Sequence, residues 1–215
     1  ADETDIIRAF NQLQGLHQEY KEVGPVSKDL REEIWNRFKA ASTIINKRHQ
    51  EHFLAIKERE EENLAKETSL CEKIEAIATD GLKTFADWNG ITEQIIAAQA
   101  EWKTIGFAPQ RMNQQIFERF RSACDSFFQS KAEFFREVKE GLNENLAKKM
   151  ALVEKAEALK DSKEWRATTE ALIGLQKEWK SIGAIPRKNS EQLWKRFIGA
   201  CDAFFEAKNV ATADQ

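Results

Sequence analysis

Proline and glycine are scarce in this chain of 215 residues, which has three prolines and nine glycines. Both residue types interrupt helices, glycine through its backbone freedom and proline through its missing N–H. Their scarcity argues against a fold of many short elements joined by turns. It favours long helices joined by a few short connections.

The sequence also has no strong excess of one charge and no long apolar run. Its 33 basic and 36 acidic residues give a net charge of −3, so no overall positive field attracts the chain to nucleic acid. No segment approaches the roughly 20 apolar residues that cross a bilayer. The acidic start, ADETD, is unlike a secretory signal. We therefore expect no membrane partner.

Cysteine and histidine are too few and too scattered to indicate a metal or redox site. There are three of each, and the chain has no C-x-x-C pair, no P-loop and no glycine-rich dinucleotide motif. Cys124 and Cys201 occupy matching apolar positions, which indicates packing residues in a reducing cytoplasm. His49 and His52 would share a helix face, but a metal site requires three or four converging ligands. The sequence thus predicts no catalytic residue, no metal site and no cofactor.

What the chain does contain is an internal repeat. A nine-residue segment occurs in three versions, which are EYKEVGPVS (19–27), EWKTIGFAP (101–109) and EWKSIGAIP (178–186). When these are aligned on Gly24, Gly106 and Gly183, all six tryptophans and the only tyrosine fall into three repeat positions. Those positions lie 18 and 4 residues before the glycine and 11 residues after it. Such regular placement indicates a modular array.

The spacing of the apolar residues predicts two helices in each repeat. Before the glycine these residues recur in steps of seven, as in Trp88, Ile95 and Trp102, which places them on one helix face. After the glycine they follow the i, i+3, i+4 pattern of a second helix. Two helices joined by so short a turn are expected to run antiparallel and to press their apolar faces together.

The turn between the two helices is marked by glycine and proline. Gly106 and Gly183 are expected to end the first helix at positive φ. Pro109 and Pro186 are expected near the start of the second helix, where a missing N–H costs little. The first copy has Ser27 at the proline position, where the side chain is expected to cap the helix.

The second helix of each repeat continues well past the turn. The segment ENLAKETSLCEKIEAI (62–77) matches ENLAKKMALVEKAEAL (144–159), and few breakers precede either one. We predict an all-α fold of tandem repeats, each made of a short helix, a tight Gly/Pro turn and a very long helix that is either continuous or broken in two. The repeats are expected to form an elongated array of helical hairpins or bundles. Their predicted boundaries are 1–79 for a degenerate first repeat, 80–160 for the second, and 161–215 for a third that is truncated after its second helix.

Trp102 and Trp179 have two interpretations. Either they pack between the helices, or they form a platform that binds a ligand. Aromatic residues at helical spacing usually belong to a core, so we interpret both as core residues.

The spacing of tryptophan, glycine, proline, phenylalanine and cysteine in the repeats resembles that of a known family. The pattern W-K-x-I-G…P…[WF]-x-R-F-x-x-[AG]-C-D-x-F-F occurs at 102–128 and 179–205. It is similar to the bacterial repeat family called domain of unknown function 349, here in about three tandem copies. The first copy departs from it, with Tyr20, Ser42 and Ile45 at positions where the others have tryptophan, cysteine and phenylalanine. The resemblance implies a bacterial, cytoplasmic repeat protein, and it brings no established activity, cofactor or site.

Six basic residues recur at matched positions beside the expected helix–helix seam. They are Lys21, Arg37, Lys103, Arg119, Lys180 and Arg196. Glu19, Glu101 and Glu178 recur there as well. In one interpretation, these glutamates pair with the arginines across the seam and fix its register. In the other, the six basic residues form a recurring surface for phosphate or an acidic partner, which makes them the candidate partner-binding residues.

Two classes of function remain open from the sequence. The first is a non-enzymatic helical repeat module, a protein-interaction or scaffold segment of a larger bacterial protein, with an unknown protein partner or self-association. The alternative is a nucleic-acid- or ribosome-associated factor that binds through the repeat-matched lysines and arginines. The second is less favoured because the chain is acidic overall, and no small-molecule substrate is evident.

Overall fold

A computed structural model describes residues 3–213, with the side chains of residues 5–213. Helices account for 87% of the described residues, and this part of the chain contains no strand. The helices are α1 (Glu3–Val23), α2 (Lys28–Glu75), α3 (Phe85–Thr104), α4 (Gln110–Leu159), α5 (Trp165–Ser181) and α6 (Arg187–Ala213). The all-α prediction, with its alternation of short and long helices, is confirmed.

The two long helices are continuous. α2 has 48 residues and α4 has 50, so at 1.5 Å per residue each is roughly 75 Å long. Neither helix contains proline, and Gly141 lies within α4 without ending it. The sequence had left open whether these stretches were broken, and the structure shows one helix in each case.

The turn glycines behave differently from the prediction. Among the described residues, only Gly24 has a positive φ, at 81°. α3 and α5 instead end because Ile105 and Ile182 leave the helix in an extended conformation, with ψ of 133° and 135°. The expectation of positive φ at the two later turn glycines is therefore wrong.

The later turn glycines are needed because a side chain approaches them closely. A Cβ atom at Gly106 would lie 2.9 Å from Nδ2 of Asn63, and one at Gly183 would lie 2.9 Å from Nδ2 of Asn145. Each amide uses that nitrogen to donate a hydrogen bond to the carbonyl of the residue after the glycine, at 3.0 Å for Asn63 and 2.8 Å for Asn145. The same asparagine, contributed by a long helix, thus holds both turns.

We expect Gly183→Ala to destabilise its turn by about 0.5–1.5 kcal/mol, because Asn145 must move and lose its hydrogen bond. Chemical denaturation measures the change. The same substitution should be nearly neutral in an Asn145→Ala background, as a double-mutant cycle would show. Gly174→Ala is the control: a Cβ there meets nothing within 4 Å, and inside α5 the substitution should stabilise the helix by about 0.5–1 kcal/mol. An equal cost of Gly183→Ala in both backgrounds would contradict this explanation.

The start of α2 also departs from expectation. Ser27 is the N-cap residue, as predicted, but its side chain makes no capping hydrogen bond, and the N–H of Leu30 is bonded to its carbonyl instead. A full capping box occurs at α3, where the hydroxyl of Thr84 accepts from the N–H of Asp87 and the carboxylate of Asp87 accepts from the N–H of Thr84.

The chain divides into two compact units, Ala1–Phe127 and Phe128–Gln215. In the first unit, α1 and the start of α2 form an antiparallel hairpin, which we call the first hairpin. Aromatic contacts join its helices: Phe10 stacks on His49 at 3.7 Å, and Tyr20 stacks on Phe38 at 4.6 Å. The His49 ring therefore packs within the first hairpin.

The same unit contains a second hairpin, made by α3 and the start of α4. Trp102 stacks on Phe120 at 4.3 Å, and Trp88 lies 5.5 Å from Phe127. The end of α2 (62–75), which we call the α2 tail, packs against this hairpin, as the Asn63 contact shows. The α2 tail, α3 and the start of α4 therefore make a three-helix bundle.

The second unit repeats this arrangement around one core. The third hairpin is made by α5 and α6, and the end of α4 (144–159), the α4 tail, packs against it. Its buried core residues are Leu152, Val153, Ala156, Leu172, Leu175, Trp179, Ile185, Leu193, Phe197, Ala200, Cys201 and Phe204. They come from all three helical segments, so this unit too is a three-helix bundle.

The cysteines are packing residues. Cys71, Cys124 and Cys201 are all unpaired and buried. Burial raises the pKa of all three thiols, and that of Cys71 to about 11, so they stay protonated and unreactive at neutral pH. In the described part of the chain, no helix is long and apolar enough to cross a membrane.

Candidate functional site

The predicted basic residues fall into two structural groups. Lys21, Lys103 and Lys180 lie in the last turns of the short helices, and all three are exposed. A positive charge at a helix C-terminus interacts favourably with the helix dipole. The structure therefore gives these lysines a local role in the helix while leaving their ammonium groups in solvent.

Two of the arginines form ion pairs of nearly identical geometry. Nε and Nη2 of Arg119 lie 2.7 and 2.9 Å from the two carboxylate oxygens of Glu75. Arg196 contacts Glu157 in the same way, at 3.0 and 2.9 Å. Such two-point contacts fix direction as well as distance. Each joins a hairpin to the tail that packs on it.

The expected pairing partners of these arginines were therefore wrong. Glu101 and Glu178 were predicted to face Arg119 and Arg196 across the hairpin seam, but the carboxylates come from the tail of the preceding long helix. Arg37, the matching residue of the first hairpin, makes no ion pair with any described residue. Its hairpin has no tail from the described chain packed on it.

The ion pairs affect the ionisation of the carboxylates. The hydrogen bonds from Arg119 hold the pKa of Glu75 below its ordinary value, and those from Arg196 do the same for Glu157. A depressed pKa in the folded state means that the unfolded chain takes up a proton first as the pH falls. The contribution of each pair is thus fully present above the ordinary pKa of 4.5 and is lost as the pH falls below it.

We expect Glu157→Gln to reduce the acid sensitivity of the second unit, because it removes the carboxylate whose pKa differs between the folded and unfolded states. Melting temperatures measured from pH 7 to about pH 3 should fall less steeply for this variant than for the wild type. Glu178→Gln is the control, since it alters the carboxylate that does not contact Arg196. A slope that changes in the control but not in Glu157→Gln would contradict the assigned pair.

Burial differs sharply between the first hairpin and the other two. Leu16 is 50% exposed, whereas the matching residues of the second and third hairpins, Ala98 and Leu175, are 4% and 9% exposed. Ile34 is half-buried, whereas its counterparts Ile116 and Leu193 are buried. Within residues 5–60 only Leu13 and Ser42 are buried. An apolar face that a tail covers in two hairpins is thus open in the first.

The two bundles also differ beside their central tryptophan. In the second unit, Nζ of Lys149 lies 4.7 Å from the ring centre of Trp179, which is 8% exposed. In the first unit, Glu67 of the α2 tail occupies the position of Lys149, and Trp102 is half-buried. Glu67 itself is 4% exposed, and burial raises its pKa.

The residues that join tail to hairpin were not among the predicted site residues. They are Asn63, Glu75, Asn145 and Glu157, together with Glu67 and Lys149. The match between 62–77 and 144–159 contained the signal, because both asparagines and both paired glutamates are identical in the two segments. The missing information was which helix these segments contact. Within residues 3–213, no group of three or more His, Cys, Asp or Glu residues is placed to hold a metal ion.

The comparison with protein families found a model that matches twice, over residues 33–111 and 115–188. Each match contains one tail, the short helix that follows it and one Gly turn, and it ends at the start of the helix after that turn. The estimate of about three copies is slightly too high, because the family model matches twice. No curated protein and no solved structure matched significantly. The family matches extend over more than half of the chain, which therefore belongs to the family described as Domain of Unknown Function (DUF349).

Proposed function

We propose that this chain is a non-enzymatic helical repeat module, an interaction or scaffold segment that works through protein partners. Its first hairpin receives an amphipathic helix of a partner on the face that contains Leu16, Ile34 and Arg37. The observation that carries the proposal is the open face itself, since the second and third hairpins each bury the matching face under a helix. A cytoplasmic location belongs to the same proposal and is supported by the three free, buried thiols.

The chain indicates the chemistry of the missing helix. Each tail presents an asparagine to a turn and, twelve residues later, a glutamate to an arginine. The buried apolar residues between them are Leu70, Cys71 and Ile74 in one tail and Leu152, Val153 and Ala156 in the other. Arg37, which makes no ion pair with any described residue, is the cation that such a glutamate would meet. We therefore expect a partner helix of the type Asn-x11-Glu whose apolar face is formed by leucine and other aliphatic residues. This is the helix-in-groove mode of recognition.

A synthetic peptide of residues 140–159 tests the proposal. Added to the whole chain, it should increase the hydrogen-exchange protection of α1 and the start of α2, with little effect on α5 and α6, whose face is already covered. Peptides with Asn145→Ala or Glu157→Ala should bind more weakly, because each loses one of the two polar contacts.

Two variants of the chain locate the binding face. Leu16→Lys introduces a charge on the proposed face and should abolish protection by the peptide. Ile44→Lys is the matched control, because Ile44 is 56% exposed and its counterparts in the other hairpins are exposed as well. No protection of the first hairpin at any peptide concentration would overturn the proposal. Dimers that dissociate in the Leu16→Lys chain would replace the partner helix with a second copy.

The nucleic-acid alternative has less support. Phosphate would have to displace Glu75 from Arg119 and Glu157 from Arg196, and both carboxylates are held by two hydrogen bonds. Binding to RNA or DNA would weaken steeply with salt, because phosphate contacts release counterions. Gel-shift titrations at two salt concentrations test this. Submicromolar, salt-sensitive binding that is lost in a folded Arg37→Glu, Arg119→Glu, Arg196→Glu variant would favour the alternative.

A further inference from the structure

The second hairpin contains a cleft with an unusual combination of residues. It has a volume of about 340 Å³, and its walls include Glu67, Trp102, Lys103, Phe107 and Phe117. Oε2 of Glu67 is buried and has no hydrogen-bond partner among the described residues. An unpaired buried carboxylate is costly, because the charge has lost its water without gaining a donor. Aromatic rings beside a carboxylate are the surroundings that favour a cation.

The third hairpin shows what occupies the equivalent place. Trp179 stacks on Phe197 at 4.4 Å, as Trp102 stacks on Phe120, and Nζ of Lys149 lies over the Trp179 ring. An ammonium group is therefore already bound against this tryptophan position by the chain itself. In the second hairpin the matching tail residue is Glu67, whose side chain lines the same cleft as Trp102, so the tail contributes a carboxylate there instead of an ammonium.

We infer that the Glu67–Trp102 cleft is a binding site for a primary alkylammonium group from another molecule, such as the side chain of a partner's lysine or a small amine. The ammonium would contact the Trp102 ring as Lys149 contacts Trp179, and it would donate to the carboxylate of Glu67. Lys103 also borders the cleft. The ammonium that lies over Trp179 belongs to Lys149 and not to Lys180, which is the counterpart of Lys103. We therefore do not expect Lys103 to contact the Trp102 ring.

The inference is independent of the proposed helix-binding face, which lies on the first hairpin. Nuclear magnetic resonance of the tryptophan indole N–H signals tests it, with Trp102 assigned through Trp102→Phe. The probe is Nα-acetyl-lysine amide, and the matched control probe is Nα-acetyl-norleucine amide, which lacks only the ammonium group. We expect saturable shifts of the Trp102 signal with the lysine probe and none with the norleucine probe.

Three variants exploit the difference between the repeats. Glu67→Lys recreates the arrangement of the third hairpin, so the chain should stay folded and lose the binding of the lysine probe. Glu67→Gln keeps the shape and should weaken binding by about tenfold, since it removes the charge. Lys149→Glu should create a second site, seen as new saturable shifts of the Trp179 signal.

The two probes and the Glu67 variants together distinguish binding of an ammonium group from other causes of a shift. Equal shifts with the norleucine probe, unchanged binding in Glu67→Lys, or no saturable shift of Trp102 with the lysine probe would each overturn the inference. Butylammonium chloride distinguishes the two sources of the ligand. Binding as tight as that of the lysine probe would indicate a small amine, and markedly weaker binding would indicate a lysine within a polypeptide.

Discussion

Replacing Trp179 with alanine should destabilise the second unit by about 3–5 kcal/mol, the range measured when large aromatic residues are removed from protein cores. The indole is 8% exposed, stacks on Phe197, and carries the ammonium of Lys149 over its ring. Alanine would leave a cavity between α5 and α6 and would remove the cation–π contact. Hydrogen exchange of the amides in residues 128–215 measures the loss for this unit separately.

Trp194 is the matched control for this prediction. It lies 5.7 Å from Trp179 but is 47% exposed, so Trp194→Ala should cost much less. The pair also separates the two interpretations of the repeated tryptophans. If Trp179→Ala left the stability of the unit unchanged and impaired only the binding of a partner, the assignment of this residue to the core would be wrong.

The helices were predictable because their signals are local. Steps of seven and the i, i+3, i+4 pattern depend only on the geometry of one helix, and Trp88, Trp102 and Phe120 occupy the faces that the pattern assigned to them. The turns were placed correctly for the same reason, since Pro109 and Pro186 mark the starts of α4 and α6. The core role of Trp179 followed from its spacing as well, and Trp102 at the same repeat position is half-buried.

The candidate site was less predictable, because its contacts join residues that are far apart in the chain. Arg119 and Glu75 are separated by 44 residues, and Arg196 and Glu157 by 39. Periodicity identifies the apolar face of a helix, but it does not identify the helix that covers this face. The turn glycines show the same limit. The sequence attributed each of these glycines to a local requirement, a positive φ. The structure shows instead that an asparagine side chain from a distant tail lies against each one.

The position of Glu67 shows how a mismatch between repeats can be informative. Most of the α2 tail matches the α4 tail closely, and the exchange of lysine for glutamate at this position reverses the charge beside an otherwise conserved aromatic stack. The difference is visible in the sequence as one mismatched position, Glu67 against Lys149, in the alignment of the two tails. The contact of Lys149 with the Trp179 ring explains the effect of this difference, and the sequence alone does not place either side chain against a ring.

Phenylalanine occupies the same repeat position in a covered and an uncovered hairpin, as Phe197 and Phe38. Phe197→Ala should cost about 3–5 kcal/mol, because Phe197 is 1% exposed and is enclosed by Trp179 and the α4 tail. Phe38→Ala should cost about half as much or less. Phe38 has comparable ring neighbours, with Tyr20 at 4.6 Å and His17 at 4.9 Å, but it is only half-buried.

Hydrogen exchange resolved by helix measures both losses, because opening of the first hairpin and opening of the third hairpin are observed in different amides. The peptide of residues 140–159 adds a second comparison. If it docks on the first hairpin, it should increase the cost of Phe38→Ala towards that of Phe197→Ala, since binding would complete the burial of the ring. Equal costs for the two substitutions without peptide would contradict the open face, because they would mean that the first hairpin encloses its phenylalanine as fully as the third.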